Sequence, residues 1–126
     1  MTQALLQADA ATRAGIPVDQ ATSVMERWNI PSARFADLLG VSDRHWRRLI
    51  KQGGTLGLAE SDRFMRVSKL LDELGEVFAN HKAAEHWLNA NVAGLAGRTP
   101  LSLLDTDAGI EGVRTILVRI SHGVFS

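Results

Sequence analysis

The chain contains no cysteine. Disulfides and thiolate metal sites are therefore excluded outright, and the composition suits a reducing compartment. No apolar run approaches the roughly 20 residues that a membrane span needs. The opening MTQALLQADAATRAGIP lacks the basic stretch and apolar core of a secretion signal. These absences predict a cytoplasmic protein with no membrane association. An excess of one charge is missing too, since 14 basic and 14 acidic side chains cancel. A protein living wholly by phosphate contacts is usually more basic. Sustained alternation of β-branched and polar residues is absent, so strands are not expected. Neither an internal repeat nor a low-complexity tract is present.

What remains is globular composition, 45% hydrophobic and 22% charged. At 126 residues the chain has room for one ordinary domain or two very small ones. Charge is unevenly placed. Gly40–Lys51 carries Arg44, Arg47, Arg48 and Lys51 against Asp43 alone.

Helical spacing recurs along the chain, and an all-α fold follows from it. Ala21, Val24, Met25 and Trp28 obey the i, i+3, i+4, i+7 rule behind Pro17, a good first-turn residue. Pro31 interrupts, and a short helix with Ala33, Phe35, Ala36, Leu38 and Leu39 should end at Gly40. Ser42 is a natural cap for a helix whose apolar positions are Trp46, Leu49 and Ile50. Gly53-Gly54-Thr55-Leu56-Gly57 reads as a loop. It sets the expected division between a lobe of residues 1–57 and a lobe of residues 58–126.

Phe64, Val67, Leu71, Leu74 and Phe78 then form a regular stripe, suited to a core or to a dimerisation seam. Asn80 can cap a helix carrying Ala83, Ala84, Trp87 and Leu88. Thr99-Pro100 gives a capped single turn through Leu101, Leu103 and Leu104. Asp107 can cap the last helix, with Ile110, Val113, Leu117 and Ile120 as its buried stripe and Gly123 as its stop. Near the N-terminus, Leu5, Leu6 and Ala10 allow a short and barely amphipathic helix.

Ser32 to Lys51 has the pattern of a helix-turn-helix. Ala36 is the small residue needed where the second helix crosses close to the first, and Gly40 supplies positive φ at the turn. Phe35, Leu39, Val41, Trp46 and Leu49 have the spacing to lock the two helices together. Ser42, Asp43, Arg44, His45, Arg47, Arg48 and Lys51 are left facing outward, the early ones suited to base edges and the later ones to phosphates. An ordinary helical hairpin exposing arginines has the same local pattern. Asp43 repels phosphate unless it caps the helix or accepts from a cytosine amino group. This segment resembles the helix-turn-helix of the Xre regulator family, from about Met25 to Lys51.

The second half carries, in order, Trp87-Leu88, Leu95-Ala96-Gly97, Thr99-Pro100-Leu101-Ser102-Leu103-Leu104, Gly109, Val113 and Arg119-Ile120-Ser121-His122-Gly123-Val124-Phe125. This ordered set resembles the toxin-binding domain of MbcA/ParS/Xre antitoxins, extending the resemblance to about residues 25–126. Asn89-Ala90-Asn91 departs from it, since many relatives carry proline before the second asparagine. The resemblance implies an antitoxin, not an enzyme, that binds a RES-domain toxin degrading NAD⁺. It implies that the C-terminal end occludes the toxin's active site through Arg119, Ser121, His122, Gly123, Val124, Phe125 and Ser126, with Arg114 as an additional contact. It also implies a homodimer within a toxin–antitoxin hetero-oligomer, presenting its helix-turn-helix units to operator DNA. On bare sequence, Phe125 has an alternative place folded back onto its own core.

Catalysis has little to stand on. His45, His81, His86 and His122 are scattered, and His81 and His86, five apart, are poorly spaced for one helical face. No catalytic site, metal or cofactor is expected. The glycine run lacks the lysine and strand context of a phosphate loop. Two other readings stay open: a stand-alone Xre-type regulator whose second half dimerises or senses a ligand, and an interaction protein whose helix-turn-helix no longer binds DNA.

Overall fold

The computed structural model of the chain describes residues 1–123. Among them are seven α-helices, two short 3-10 turns and no strand, as the sequence pattern predicts. The helices form two compact units, Met1–Ser68 and Lys69 onward, with the division falling inside one continuous helix.

The first unit opens with α1 (Gln3–Ala14), started by Thr2, whose Oγ1 accepts from the Leu5 backbone N–H at 3.2 Å. Leu5 and Leu6 are exposed, so this helix is as weakly amphipathic as its sequence suggests. α2 (Val18–Arg27) begins one residue later than the proline rule predicts, with Pro17 as the extended cap residue. Ala21 and Trp28 are buried, while Val24 and Met25 are half-buried.

α3 (Ser32–Leu39) ends where expected, because Gly40 adopts φ 75°, a left-handed conformation that costs a Cβ-bearing residue free energy. α4 (Asp43–Gln52) is capped by Ser42, whose Oγ accepts from the His45 N–H at 3.0 Å. The two helices pack closely, with α2 against α4. Ala36 has no exposed surface, which lets the backbones approach at that point. Phe35 and Trp46 meet with ring centroids 5.5 Å apart and planes tilted by 36°. Ile50 departs from expectation. It is 38% exposed, because the buried arc of α4 narrows to Trp46 with Leu49 half-covered.

The glycine segment belongs to this first unit. Val18 N–H donates to Gly54 O at 2.9 Å, and Leu56 N–H donates to Ile16 O at 2.8 Å. Ser61, fully buried, accepts from the Ile16 N–H at 3.0 Å and donates to Leu56 O at 3.3 Å. A buried hydroxyl thereby satisfies two backbone groups that no helix provides for.

α5 (Leu58–Val77) lends its first half to this unit and its remainder to the second. Phe64, Val67, Leu71 and Leu74 of the expected stripe are buried, with Leu70 beside them, whereas Phe78 lies past the end of the helix and is half-buried. The stripe within α5 is core rather than an exposed seam. In the second unit α6 (His81–Leu88) starts at Asn80, whose Oδ1 accepts from the Ala83 N–H at 2.8 Å. The turn-rich stretch contains a 3-10 turn at Ala93–Leu95, and Thr99-Pro100 opens another at Leu101–Leu103. Thr99 Oγ1 accepts from Ser102 N–H at 3.2 Å, the capping role expected of it, although the turn is 3-10.

α7 (Asp107–Ser121) packs on both 3-10 turns. Its cap is Thr106 rather than Asp107, with Thr106 Oγ1 accepting from Gly109 N–H at 3.0 Å. Its buried residues are Ile110, Val113, Ile116 and Leu117, so Ile116 takes the place expected for Ile120, which is only half-buried. Gly123 stands at φ 70°, ending the helix as predicted.

Candidate functional site

Two surfaces concentrate the chemistry, one in each unit. On the first, Arg44, Arg47, Arg48 and Lys51 are exposed along α4, with Asp43 and His45 half-buried beside them. Ser42 caps the helix through one hydroxyl lone pair, which leaves a second lone pair and its O–H for other partners. Asp43, at the first helical position, lies where a negative charge favours the helix dipole. It also forms an ion pair with Arg47 one turn on. The hydrogen bond to Asp43, then its charge, holds the Arg47 guanidinium above its ordinary range. Arg48 Nη2 lies 2.6 Å from His45 Nδ1, a contact in which the arginine donates and a neutral imidazole accepts.

All seven sequence-predicted residues therefore sit at or on α4, but they are not equivalent. Arg47 and Arg48 are engaged with neighbours on the same helix. Arg44 and Lys51 have no hydrogen bond or ion pair among the described residues. They are the cations most available to an outside ligand. A residue that sequence reasoning missed, Arg63, donates from Nε to Leu38 O at 3.1 Å and packs beside Gly40. It fastens the end of α3 just before the turn. No local pattern signals a contact spanning 25 residues.

On the second surface, α7 delivers Arg119, Ser121, His122 and Gly123 to its exposed C-terminal end. Ser121 Oγ donates to Val118 O at 2.9 Å, and His122 N–H donates to the same carbonyl at 3.1 Å. Val124, Phe125 and Ser126, also expected at this site, lie outside the described residues. Arg114 is placed differently from its companions. Its Nε and Nη2 reach Glu73 Oε2 and Oε1 at 2.9 and 3.2 Å, a bidentate pair, and its Nη1 bonds Glu111. Hydrogen bonding by Glu73, outweighing the opposing effect of partial burial, keeps this guanidinium above its usual range. Arg114 thus braces α7 against α5.

Two concavities flank that end of α7. An apolar cavity of about 250 Å³ is lined by Trp87, Val92, Ala93, Gly94, Ile116 and Ile120. A shallower groove of about 440 Å³ runs along Glu73, Glu76, Val77, Leu117, Val118 and Ser121. His81 lies 3.7 Å from Glu85, and no group of three metal-ligating side chains is assembled among the described residues. Nor is any helix among them long and apolar enough to cross a membrane.

Sequence comparison divides the chain in the same order. Residues 7–67 match the antitoxin Xre-like helix-turn-helix domain. Residues 73–123 match the antitoxin Xre/MbcA/ParS C-terminal toxin-binding domain. An Antitoxin Xre of Yersinia enterocolitica serotype O:8 is 32% identical over 113 residues, covering 89% of this chain and 76% of that protein. An Antitoxin Xre of Photorhabdus laumondii subsp. laumondii is 27% identical over 119 residues, covering 94% and 80%. Among solved structures, a chain from the M. tuberculosis MbcT-MbcA toxin-antitoxin complex superposes with a TM-score of 0.64 at 20% identity. That match covers 86% of this chain and 96% of the other, and shows a shared fold.

Proposed function

The chain belongs to the Xre antitoxin family, and from that membership we propose that it neutralises a RES-domain toxin that degrades NAD⁺ and represses its own operon. The observation carrying this reading is that a helix-turn-helix domain and a toxin-binding domain follow one another in a single short chain. The protein acts by binding, in the cytoplasm, and its own residues perform no reaction.

At the toxin, the end of α7 presents Arg119, Ser121, His122 and Gly123, and Val124, Phe125 and Ser126 enter the cleft. A site that binds a dinucleotide pyrophosphate is cationic, so the α-carboxylate of Ser126 has a natural counter-charge there. Phe125 fills an apolar space of nicotinamide size. Arg114 supports this end from two turns back by holding α7 to Glu73. Co-expression with the toxin tests the arrangement. The intact chain should restore growth, and deletion of Gly123–Ser126, which begins beyond the last residue of α7, should weaken protection without unfolding the protein. Full protection by the shortened chain would remove the plug from the mechanism.

At DNA, α4 enters the major groove with Arg44 near base edges and Arg48 and Lys51 near phosphates. A chain of zero net charge gains little from long-range attraction. Useful affinity then comes from two helix-turn-helix units of a homodimer on one operator. Arg44→Ala should cost operator binding about 1–3 kcal/mol if the guanidinium reads a base. Asp43→Asn should act in the opposite sense. It frees Arg47 and removes a negative charge facing the phosphates, so binding tightens. The slope of log K against log salt should steepen by about 0.9, one additional phosphate contact. Titrations at several salt concentrations check both. An unchanged slope in Asp43→Asn would place Arg47 away from the backbone.

A further inference from the structure

The apolar cavity on one flank of α7 is built in advance of any partner. Trp87 forms one wall, its ring centroid 5.7 Å from that of Phe78, while Ile116 and Ile120 form another. The loop that completes it is tied to itself. Val92 N–H donates to Arg98 O at 3.1 Å, Gly97 N–H donates to Val92 O at 3.0 Å, and Leu95 is buried. Gly94 keeps the space open. It has an ordinary φ and no backbone need for glycine, yet a Cβ placed there would come within 2.8 Å of Ile116 Cδ1. Two cations stand beside the cavity. Arg98 pairs directly with Val92 across the loop, so both side chains leave on the same face. Arg119 lies on α7 between Ile116 and Ile120. Both are exposed, and neither guanidinium meets a carboxylate among the described residues. Arg98 Nη2 donates to Ser102 O at 3.4 Å.

We infer that this cavity is a socket for one aromatic side chain of the toxin, flanked there by acidic residues that Arg98 and Arg119 meet. The volume, about 250 Å³, exceeds the ~150 Å³ that accepts a benzene ring. It falls short of the roughly 300–1,000 Å³ of sites for free small molecules. The lining also offers a free ligand no charged or hydroxyl-bearing side chain to orient it, whereas a side chain is oriented by its own backbone. A second copy of the chain supplies no ring from its described residues. Trp28, Phe35, Trp46 and Phe64 are buried, and Phe78 packs on Trp87.

The inference rests on the reading of the chain as an antitoxin, and names where its partner is gripped. All six lining residues fall within residues 73–123, the segment matching a toxin-binding domain. A cleft that binds a dinucleotide is cationic and repels Arg98, so the socket meets the toxin outside its cleft. An aromatic anchor seated in a desolvated pocket is the kind of contact that dominates a protein interface. Charges at the rim of such a contact act mainly on the association rate.

Titration of the intact chain, labelled at its isoleucine δ1 methyls, with the unlabelled RES-domain toxin of its operon tests this by NMR. The Ile116 and Ile120 methyls should take ring-current shifts as the toxin binds, while Ile16 and Ile30, in the first unit, stay in place. Gly94→Leu fills the cavity against the movable end of Ile116 and should weaken toxin binding about 30-fold or more. Thermal unfolding checks that this variant is folded, and the methyl shifts and Arg98→Glu decide the matter without it. Arg98→Glu changes an exposed side chain. It should slow association about tenfold at low salt and less at high salt, and Arg98→Lys should keep the original rate. Ile116 and Ile120 methyls unmoved at saturating toxin overturn the proposal. So does full affinity in a folded Gly94→Leu, or an unaltered association rate in Arg98→Glu. Shifts that grow with the concentration of the free chain assign the cavity to a second copy and overturn it too. Absence of any binding by the intact chain removes the antitoxin reading together with the socket, whereas tight binding with a silent cavity removes the socket alone.

Discussion

Trp46→Ala is expected to cost about 3–5 kcal/mol of stability and to abolish DNA binding with it. Trp46 has no exposed surface, lies on α4 and packs its ring on Phe35 of α3. It is therefore the side chain that fixes the angle at which the arginine-bearing face is held. A unit of 68 residues has a total stability of roughly 3–10 kcal/mol on the usual per-residue scale. The loss is comparable to the whole. Trp46→Phe should behave differently. The indole Nε1 is buried without a hydrogen-bond partner among the described residues. Removing that donor offsets part of the lost packing, since an unsatisfied buried donor costs about 1–3 kcal/mol. Urea denaturation should place the phenylalanine variant's midpoint well above the alanine variant's, with operator binding retained. Equal midpoints would show that Trp46 contributes no packing of this kind.

In the second unit the largest effect is expected at Gly109. A Cβ there would lie 1.8 Å from Leu103 O and 2.8 Å from Leu103 C. Both are backbone atoms, so no rotamer change relieves the clash. The 3-10 turn at Leu101–Leu103 sits against the first turn of α7 only because position 109 has no side chain. Gly109→Ala should destabilise by about 3 kcal/mol or more and shift the start of α7. Toxin neutralisation then falls because the far end of the same helix is displaced. Gly112 provides the control one turn along. A Cβ there meets nothing within 4 Å, so Gly112→Ala should stabilise by about 0.8–1 kcal/mol through helix propensity alone. Thermal unfolding of the two variants should move in opposite directions. Two shifts of the same sign would mean that α7 does not start against that turn.

These two sites also mark the reach of sequence reading. The caps at Ser42 and Asn80 and the stop at Gly40 were legible because each depends on residues three or four apart. The long stripe of α5 was legible for the same reason. Thr106 and Asp107 are both good capping residues, and local pattern does not choose between them. Contact of Leu103 with Gly109 belongs to the packed structure, which favours the earlier start. Arg114 looked like one more exposed cation on the last helix. Its real engagement is with Glu73, 41 residues away in the chain, and no periodicity carries that. The same holds for Arg63 and Leu38 O, and for the cavity, whose walls come from α6, a 3-10 turn and α7. Spacing fixes which residues face inward along one helix. It does not say which distant carboxylate or carbonyl will meet them.

In the proposed role the chain silences a RES-domain toxin by lodging its C-terminal residues in the toxin's cleft. NAD⁺ consumption by a purified RES-domain toxin measures this directly. One equivalent of the intact chain should bring consumption close to zero. A chain ending at His122 should still bind the toxin through the rest of its second unit while NAD⁺ loss continues. Undiminished consumption in the presence of bound intact chain, or equal inhibition by the shortened one, would contradict the account.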